Sequence, residues 1–584
     1  MDTQKLRTLL ESPMVKKREN PVSSKQYAAL GTEEQKIIKS LEENLGIPNL
    51  IARILYGRGI TSPEDAEAFL YPNLENLSDP FLLPDMDKGV RRVIEAITNK
   101  ENICLYGDYD ADGITSLALM VNFFRHLEMT PATYIPHRKE GYGLNIQAID
   151  RLKANGASLL ICLDCGSTNI EEIRRAKELS IDTIVIDHHE LPNASPEAYA
   201  LINPKRSDSC FPTRELAACG VTFFFLLALR RSMFSQGLLK HKINLKKELD
   251  IVTIGTIGDM VPLTKDNRII VKFGMDTMKK KPRTWLKTFF KMGIISDGSI
   301  DEYALNFVII PRINAAGRVS EPEKSLNFLV CDNESDSMVA LKELCEANRE
   351  RQKIEGDILK EIVDIVNRDK LADGNSIVLF KEDWHMGVVG IVAQKLVEMF
   401  GKPSIIITEV EGMWKGSGRG GDGMDLHETI KTLSHLLIKF GGHKYACGIL
   451  LSKENLVPFQ QAFENSVRGI LNNRKKGVSV DAHADFEELT GELVECMELL
   501  APFGIGNPRP NLLLTPLDMS INNKFVKVID RNNKTWYGNI QRQSQIPQYT
   551  NMSIVAAPVI REEMGEKFIH LNIKKLIPVD DMPM

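Results

Sequence analysis

From about residue 102 the apolar positions change period repeatedly. ICLYG (103–107), ASLLICLD (157–164) and IDTIVID (181–187) are short runs with little polar alternation, as expected of strands buried on both faces. Between them, ITSLALMVNFFRHL (114–127) and NIEEIRRAKEL (169–179) read as helices. Strand and helix alternating at this pitch predict an α/β domain with a parallel, doubly wound sheet. Ligands of such sheets lie beyond the carboxyl ends of the strands.

Farther along, residues 335–368 are polar over much of their surface but carry a partial apolar stripe: Leu341, Leu344, Ile354, Ile358, Ile362 and Ile365. The stripe predicts one long helix, on the order of 50 Å at 1.5 Å per residue, serving as a rigid connector between lobes. NSIVLF (375–380) and SIIIT (404–408) predict strands flanking a helix in GVVGIVAQKLVEMF (387–400). A Gly-rich WKGSGRGG (414–421) follows, then a helix from Asp425 to about Lys439 that ends in GGH. The last hundred residues hold short β-type runs, FVKVID, TWYGNI, SIVAAPVI and KFIHLNIKKL, which suggest a small barrel such as an OB-fold.

Composition changes this picture little. A chain of 584 residues with 43% apolar content exceeds one hydrophobic core, so two to four domains are expected. Charged residues make up 26% and the net charge is −5, so any nucleic-acid partner must be held by local patches. Nine scattered cysteines fit a reducing compartment, and the CxxC of Cys162 and Cys165 lacks a second pair to complete a zinc site. With no secretory h-region and no window of ~18 continuous apolar residues, the expected location is cytoplasmic and no membrane partner is expected.

The candidate chemistry stands at the strand ends. The first predicted strand runs into YGDYDADG, with Asp108, Asp110 and Asp112; the second ends at Asp164, the third at Asp187, His188 and His189. Three like charges so close repel unless something positive sits among them. A lone DxD is usually a solvated turn or helix N-cap, and a lone HH usually a buried, hydrogen-bonded pair. Their joint placement at consecutive strand ends, with Asp259 in GDMVP as a further candidate, points to a metal centre. Mixed carboxylate and imidazole donors suit Mn²⁺ or Mg²⁺, and so many carboxylates suggest two ions sharing one of them. Such a pair serves phosphoester or phosphoanhydride hydrolysis. Candidate holders of an anionic substrate are Arg138 in IPHRKEGYG, Arg312, Asn314 and Arg318 in PRINAAGR, Ser417 and Arg419 in GSGRGG, and His443 in GGHKYACG.

Two segments interleave basic and aromatic residues, as single-strand binders do. Lys265 to Lys291 includes Trp285, Phe289 and Phe290; a helix burying its aromatics under a charged face explains it at least as well. Near the C-terminus, Lys524, Phe525, Lys527, Arg531, Lys534, Trp536 and Tyr537 form the second, and nucleic-acid contact is expected there.

YGDYDADG, LDCG, DHH, GDMVP, GSGRG and GGH together resemble the DHH phosphoesterase superfamily with its DHHA1 lobe. RGITSPEDAEAFLYPNLENLSDP, PRINAAGR, WHMGVVGIVAQKL and PFGIGNPRP narrow the resemblance to the RecJ family of bacterial single-stranded-DNA-specific 5′→3′ exonucleases, over nearly the full length. The resemblance implies an N-terminal extension packing on the catalytic domain (1–95), a DHH domain (96–334), a connecting helix (335–368), a DHHA1 domain (369–475) and an OB-fold (476–584). It implies that Asp110 and Asp112 each hold one metal, that Asp164 bridges, and that His188 and Asp259 complete one coordination sphere. Asp108 and His189 would order the site and the scissile phosphate. Arg138, Ser417 and Arg419 would take the terminal 5′-phosphate, and Arg312 would add a contact to the strand. Implied partners are single-stranded DNA, single-stranded-DNA-binding protein and a RecQ-type helicase, in recombination and repair; a monomer is expected. Gly420, Arg509 and Met386 depart from the usual pattern, none of them at a proposed metal ligand. The alternatives are a DHH phosphodiesterase of short oligonucleotides or cyclic dinucleotides, which would leave the terminal segments unexplained, and a scaffold that has lost its ligands, against which every proposed ligand is present.

Overall fold

The computed structural model describes residues 31–239, 241, 243–421, 423–471, 479–540, 552–563 and 565–578. Its first sheet is parallel throughout and made of β1 (Ile103–Gly107), β2 (Ala132–Tyr134), β3 (Leu159–Leu163), β4 (Asp182–Ile186) and β5 (Ala200–Ile202). The strand order is β2-β1-β3-β4-β5, so the winding reverses between β1 and β3, the crevice where doubly wound sheets bind ligands. β1 and β3 are buried at every position, which is why they read as unbroken apolar runs. The two edge strands have three residues each, too few to leave a period in the sequence.

The predicted long helix is Glu334–Arg368. Leu341 and Leu344 pack into the core of the first lobe, and Ile358, Ile362 and Val366 into that of the second. One rigid element thus carries both cores, as a connector should. The second sheet comprises β6 (Ile377–Lys381), β7 (Ser404–Val410), β8 (Met413–Arg419), β9 (Lys439–His443) and β10 (Ala446–Leu451), ordered β6-β7-β8-β10-β9. The Gly-rich WKGSGR lies in strand β8: Cβ atoms at Gly416 and Gly418 would press on Ile407, Ile449 and Ile405 of the flanking strands. One expectation is corrected here. The helix expected from Asp425 to Lys439 stops at Thr432, and residues 439–443 form β9 of a hairpin with β10. There Gly442 has φ +137 and lies against the β10 backbone, which only glycine allows.

The third sheet orders β11 (Ala482–His483), β12 (Leu512–Leu514), β13 (Asp518–Asn522), β14 (Phe525–Ile529), β15 (Thr535–Ile540), β16 (Met552–Glu563) and β17 (Glu566–Pro578) as β11-β12-β16-β17-β15-β14-β13. The expected N-terminal extension divides in two. Among the described residues, helices Thr32–Leu45, Asn49–Gly57 and Pro63–Leu70 share a core with the third sheet, whereas Leu74, Leu77, Phe81, Leu83 and the helix Met86–Thr98 pack on the core of the first lobe. Polar contacts explain the choice: Arg53 pairs with Glu488 in the interior, and Arg58 bonds Asp481 at 2.8 Å. Residues 1–30 of that extension lie outside the described residues. Among the described residues one helix, Ala218–Ser235, is long and apolar enough to cross a membrane, but it lies in the core of the first lobe.

Candidate metal centre and substrate cleft

At the end of β1 the chain turns directly into the helix Ala111–Arg125. Asp110 caps that helix: its Oδ1 accepts from Asp112 N (2.9 Å) and Gly113 N (3.3 Å). The N-cap and ligand roles therefore do not exclude each other, since the second oxygen stays free. Gly107 and Gly113 serve close approach: a Cβ at Gly113 would lie 2.5 Å from Asp108 O, and one at Gly107 would meet Leu117. Asp112 is buried, its two oxygens accepting from Ala218 N (2.6 Å) and Cys219 N (2.8 Å), the first turn of the helix Ala218–Ser235. That positive helix end steadies the carboxylate.

Asp164 follows β3 with φ +62, a left-handed conformation that aspartate tolerates better than most side chains. Donor atoms of Asp108, Asp110 and Asp164 lie within 4.8 Å of one another, as do those of Asp112, His188 and Asp259, and those of Asp164, His188 and His189. His188 Nε2 stands 3.5 Å from Asp164, 3.6 Å from Asp259 and 3.8 Å from Asp112. These separations are too long for good hydrogen bonds and short enough for one ion to bind the groups together. Asp108 Oδ1, Asp164 Oδ1 and His188 Nε2 are buried without any hydrogen-bond partner. Interiors rarely leave such atoms unpaired. The donor set fits divalent Mn²⁺ or Mg²⁺.

Electrostatics agree. Burial, then the neighbouring carboxylates, pushes Asp108 and Asp164 well above the usual carboxylate range, Asp112 up to about 6 and Asp259 up to about 7. Burial and the charge of His189 hold His188 down at about 4, so its imidazole is neutral and able to ligate. His189 goes the other way. Burial opposes its charge, yet Asp187, 2.7 Å from its Nδ1, raises it to about 9.

The cleft between the lobes holds the opposite charge. Arg138, Arg318 and Arg419 converge there: Arg138 donates to Gly317 O (3.1 Å) and lies over Tyr109, Arg318 donates to Gly387 O (2.9 Å), and Arg419 to Ser417 Oγ (3.1 Å). Burial and the other two guanidiniums push Arg318 down to about 9. Crowded carboxylates therefore stand beside crowded guanidiniums. His443 reaches across from β9, its ring stacked on His189 at 5.7 Å between centroids.

Other expected residues sit differently. Asn314 Oδ1 accepts from Ala111 N (2.8 Å) and so supports the aspartate loop instead of facing a substrate. Arg312 turns to Val308 O and Cys345 Sγ. Trp536 is a correction: it is 4% exposed, and its indole donates to Asp530 Oδ2 at 2.9 Å, so no base can stack on it. Phe525 and Tyr537 are the exposed rings of that surface, beside Lys524 and Lys527 on and next to β14. Trp285 and Phe289 belong to the core of the first lobe, so the basic stretch 265–291 is an amphipathic covering. Arg509 lies over Phe503 and pairs with Glu498, within the C-terminal module.

Sequence reasoning named Asp187 at its strand end without giving it a role, and passed over two further contributors. Asp187 accepts from Ser167 N, His188 N and His189 Nδ1 and fixes the histidine pair. Tyr142 donates to Asp164 O (2.9 Å) and touches His189; an aromatic between two glycines beside Arg138 was its only signal. Backbone amides 218 and 219 carry no side-chain signal at all.

Comparison with known proteins first sets the class. The DHH family N-terminal domain matches residues 102–256 and the DHHA1 domain residues 373–469, so the two lobes around the cleft are those of a DHH phosphoesterase. The RecJ OB domain matches residues 480–575. The chain is 33% identical over 569 residues to the single-stranded-DNA-specific exonuclease RecJ of Bacillus subtilis (strain 168), covering 95% of this chain and 71% of that one. It therefore belongs to the RecJ family. The crystal structure of Thermus thermophilus RecJ with Mn²⁺ superposes with a TM-score of 0.79 at 23% identity, over 93% of this chain and 78% of that one, and shows the same fold. A manganese-bound exonuclease RecJ structure superposes with a TM-score of 0.56 at 28% identity, over 66% of this chain and 95% of that one.

Proposed function

We propose that the protein is a metal-dependent exonuclease that degrades single-stranded DNA from its 5′ end and releases 5′-mononucleotides. The observation that carries this is the unpaired, buried Asp164 Oδ1 and His188 Nε2 between two ligand sets, facing an arginine cluster across the cleft. Asp108, Asp110 and Asp164 would hold one divalent ion; Asp112, His188 and Asp259 would hold the other, with Asp164 shared. Asp108 thus moves from an ordering role to a ligand. Bound there, the ions supply a nucleophile at neutral pH and stabilise charge on the phosphate oxygens.

The chain's own residues do the rest. Asp187 orients His189 and keeps it protonated, so a positive imidazolium stands beside the scissile phosphate. Arg138, Arg318, Arg419 and Ser417 receive the terminal 5′-phosphate, which relieves the repulsion among the guanidiniums and places the first phosphodiester over the carboxylates. The polarity of digestion follows from that placement. Lys524, Phe525, Lys527 and Tyr537 offer a stacking and backbone-tracking surface for the incoming strand. On the family likeness, single-stranded-DNA-binding protein and a RecQ-type helicase are its partners in cytoplasmic recombination and repair, and the enzyme is a monomer.

The test is Mn²⁺-dependent digestion of a 3′-labelled single-stranded oligonucleotide. Shortening from the 5′ end, absent on duplex and on a 5′-blocked strand, is expected. Cleavage confined to dinucleotides would contradict the proposal and favour the short-substrate alternative.

A further inference from the structure

Tyr303 and Phe307 are among the most exposed aromatic side chains described, at 67% and 66%, and their rings lie against each other with centroids 4.8 Å apart. They stand four residues apart on one helical stretch, whose opposite face (Leu305, Ile309) is buried. Single exposed apolar residues are ordinary, but this pair is not isolated. Met260, directly after the ligand Asp259, is 64% exposed with φ +62, and Ile505 is exposed too. Leu263 N donates to Ile505 O (2.7 Å), and Phe503 N to Glu302 Oε1 (2.9 Å). The rings therefore sit where the catalytic lobe meets the C-terminal module.

Their helix leads into the site. Residues 305–309 form a π turn, which continues as the helix Ile310–Val319 carrying Asn314 and Arg318. Such turns add one residue and rotate what precedes them, and they recur at functional sites. Here the turn leaves Tyr303 and Phe307 facing solvent while the same helix supports the aspartate loop. Gly258 lies against Ile310, since a Cβ there would be 3.6 Å from Ile310 Cγ2, so Phe307 begins about one turn from the residue preceding Asp259.

We propose that Tyr303 and Phe307 form a stacking platform for bases of the strand that remains after cleavage, on the side of the carboxylates away from the arginine cluster. This rests on the exonuclease proposal above. Aromatic faces suit it because every base has a π-face, so a non-specific enzyme gains grip without reading sequence. The rings are tilted against each other at 37° and make no other aromatic contact among the described residues, leaving their outer faces open.

The experiment compares wild type with Tyr303→Ala/Phe307→Ala on two oligonucleotides, one normal and one with consecutive abasic residues a few nucleotides from the 5′ end. KM and kcat are measured with Mn²⁺. The double variant should raise KM on the normal strand by roughly 5- to 150-fold, as expected for losing one stacked base, with kcat on a dinucleotide unchanged. On the abasic strand wild type and variant should be equal, because the base partner is already gone. Tyr303→Phe/Phe307→Trp should behave as wild type. Equal KM on the normal strand, or an equal loss on both strands, would overturn the platform and mark the pair as a protein-contact surface. If wild type itself fails to digest single-stranded DNA, the exonuclease proposal falls and takes this one with it; the two failures are therefore distinguishable.

Discussion

Asp164 shows most clearly how residue-scale physics fixes the site. It is buried among like charges in a left-handed backbone conformation, which makes it unfavourable in the metal-free fold and favourable only with a cation present. Asparagine tolerates the same backbone and shape. Asp164→Asn should therefore fold, melt in EDTA no lower than wild type, lose the Mn²⁺-induced rise in melting temperature, and lose activity by roughly 10²–10³-fold or more. Thermal melts with and without Mn²⁺, beside an exonuclease assay, check this. A second expectation concerns pH. Asp112 and Asp259 have folded-state values near 6 and 7, above an unfolded value of about 3.9. A raised carboxylate stabilises the fold while protonated, and that contribution is lost as pH climbs through the folded value. In EDTA, Asp259→Asn should gain stability over wild type between pH 5 and pH 8, by on the order of 1 kcal/mol or more. Urea midpoints across that range measure it, and Mn²⁺ should abolish the difference.

At the scale of elements, the helix Met386–Phe400 decides how the arginine cluster is assembled. Its first turns carry Gly387 and Gly390; a Cβ at Gly390 would lie 2.7 Å from Ser417 Oγ and 3.2 Å from Arg419 Nη2. Gly390→Ala should displace both side chains while leaving the fold intact. An ångström of displacement is worth up to ~10²-fold in rate, so kcat/KM on 5′-phosphorylated strands should fall at least tenfold, and less on 5′-hydroxyl strands. Elements also show what the sequence made legible. β1, β3 and β4, the long helix and the last four strands were readable because burial on two faces, or on one stripe, leaves a period. So was the gathering of carboxylates and histidines, because consecutive strand ends of a parallel sheet must share one edge. β8 and β9 were not, since glycines chosen for close packing look like loop residues. Trp536 misled because interleaving with lysines does not tell which face of a strand an aromatic takes. Tyr142 left only a faint signal, and the amides of residues 218 and 219 none, because contact, not residue type, gives them their role.

Across the whole molecule, the chain closes on itself. Helices from residues 32–70 complete the core of the C-terminal module, and Arg268 of the catalytic lobe binds both: it is buried and donates to the carbonyls of Phe69, Leu499, Leu500 and Ala501. No spacing in the sequence announces a partnership between segments as distant along the chain as Arg53 and Glu488. Arg268→Met should leave those carbonyls unpaired, costing about 2–4 kcal/mol. It should loosen the C-terminal module from the catalytic lobe, raising proteolysis at the junction. Affinity for long single strands should fall, while hydrolysis of a dinucleotide, too short to reach the C-terminal module, should persist. Limited proteolysis and strand-binding titrations test both halves.

The central claim is that the strand-end carboxylates and His188 hold two divalent ions through a shared Asp164. The most direct measurement is anomalous diffraction from crystals soaked in Mn²⁺. Two peaks are predicted, one among Asp108, Asp110 and Asp164, the other among Asp112, His188, Asp259 and the same Asp164. A single peak, or peaks that leave Asp164 out of either coordination sphere, would contradict the account.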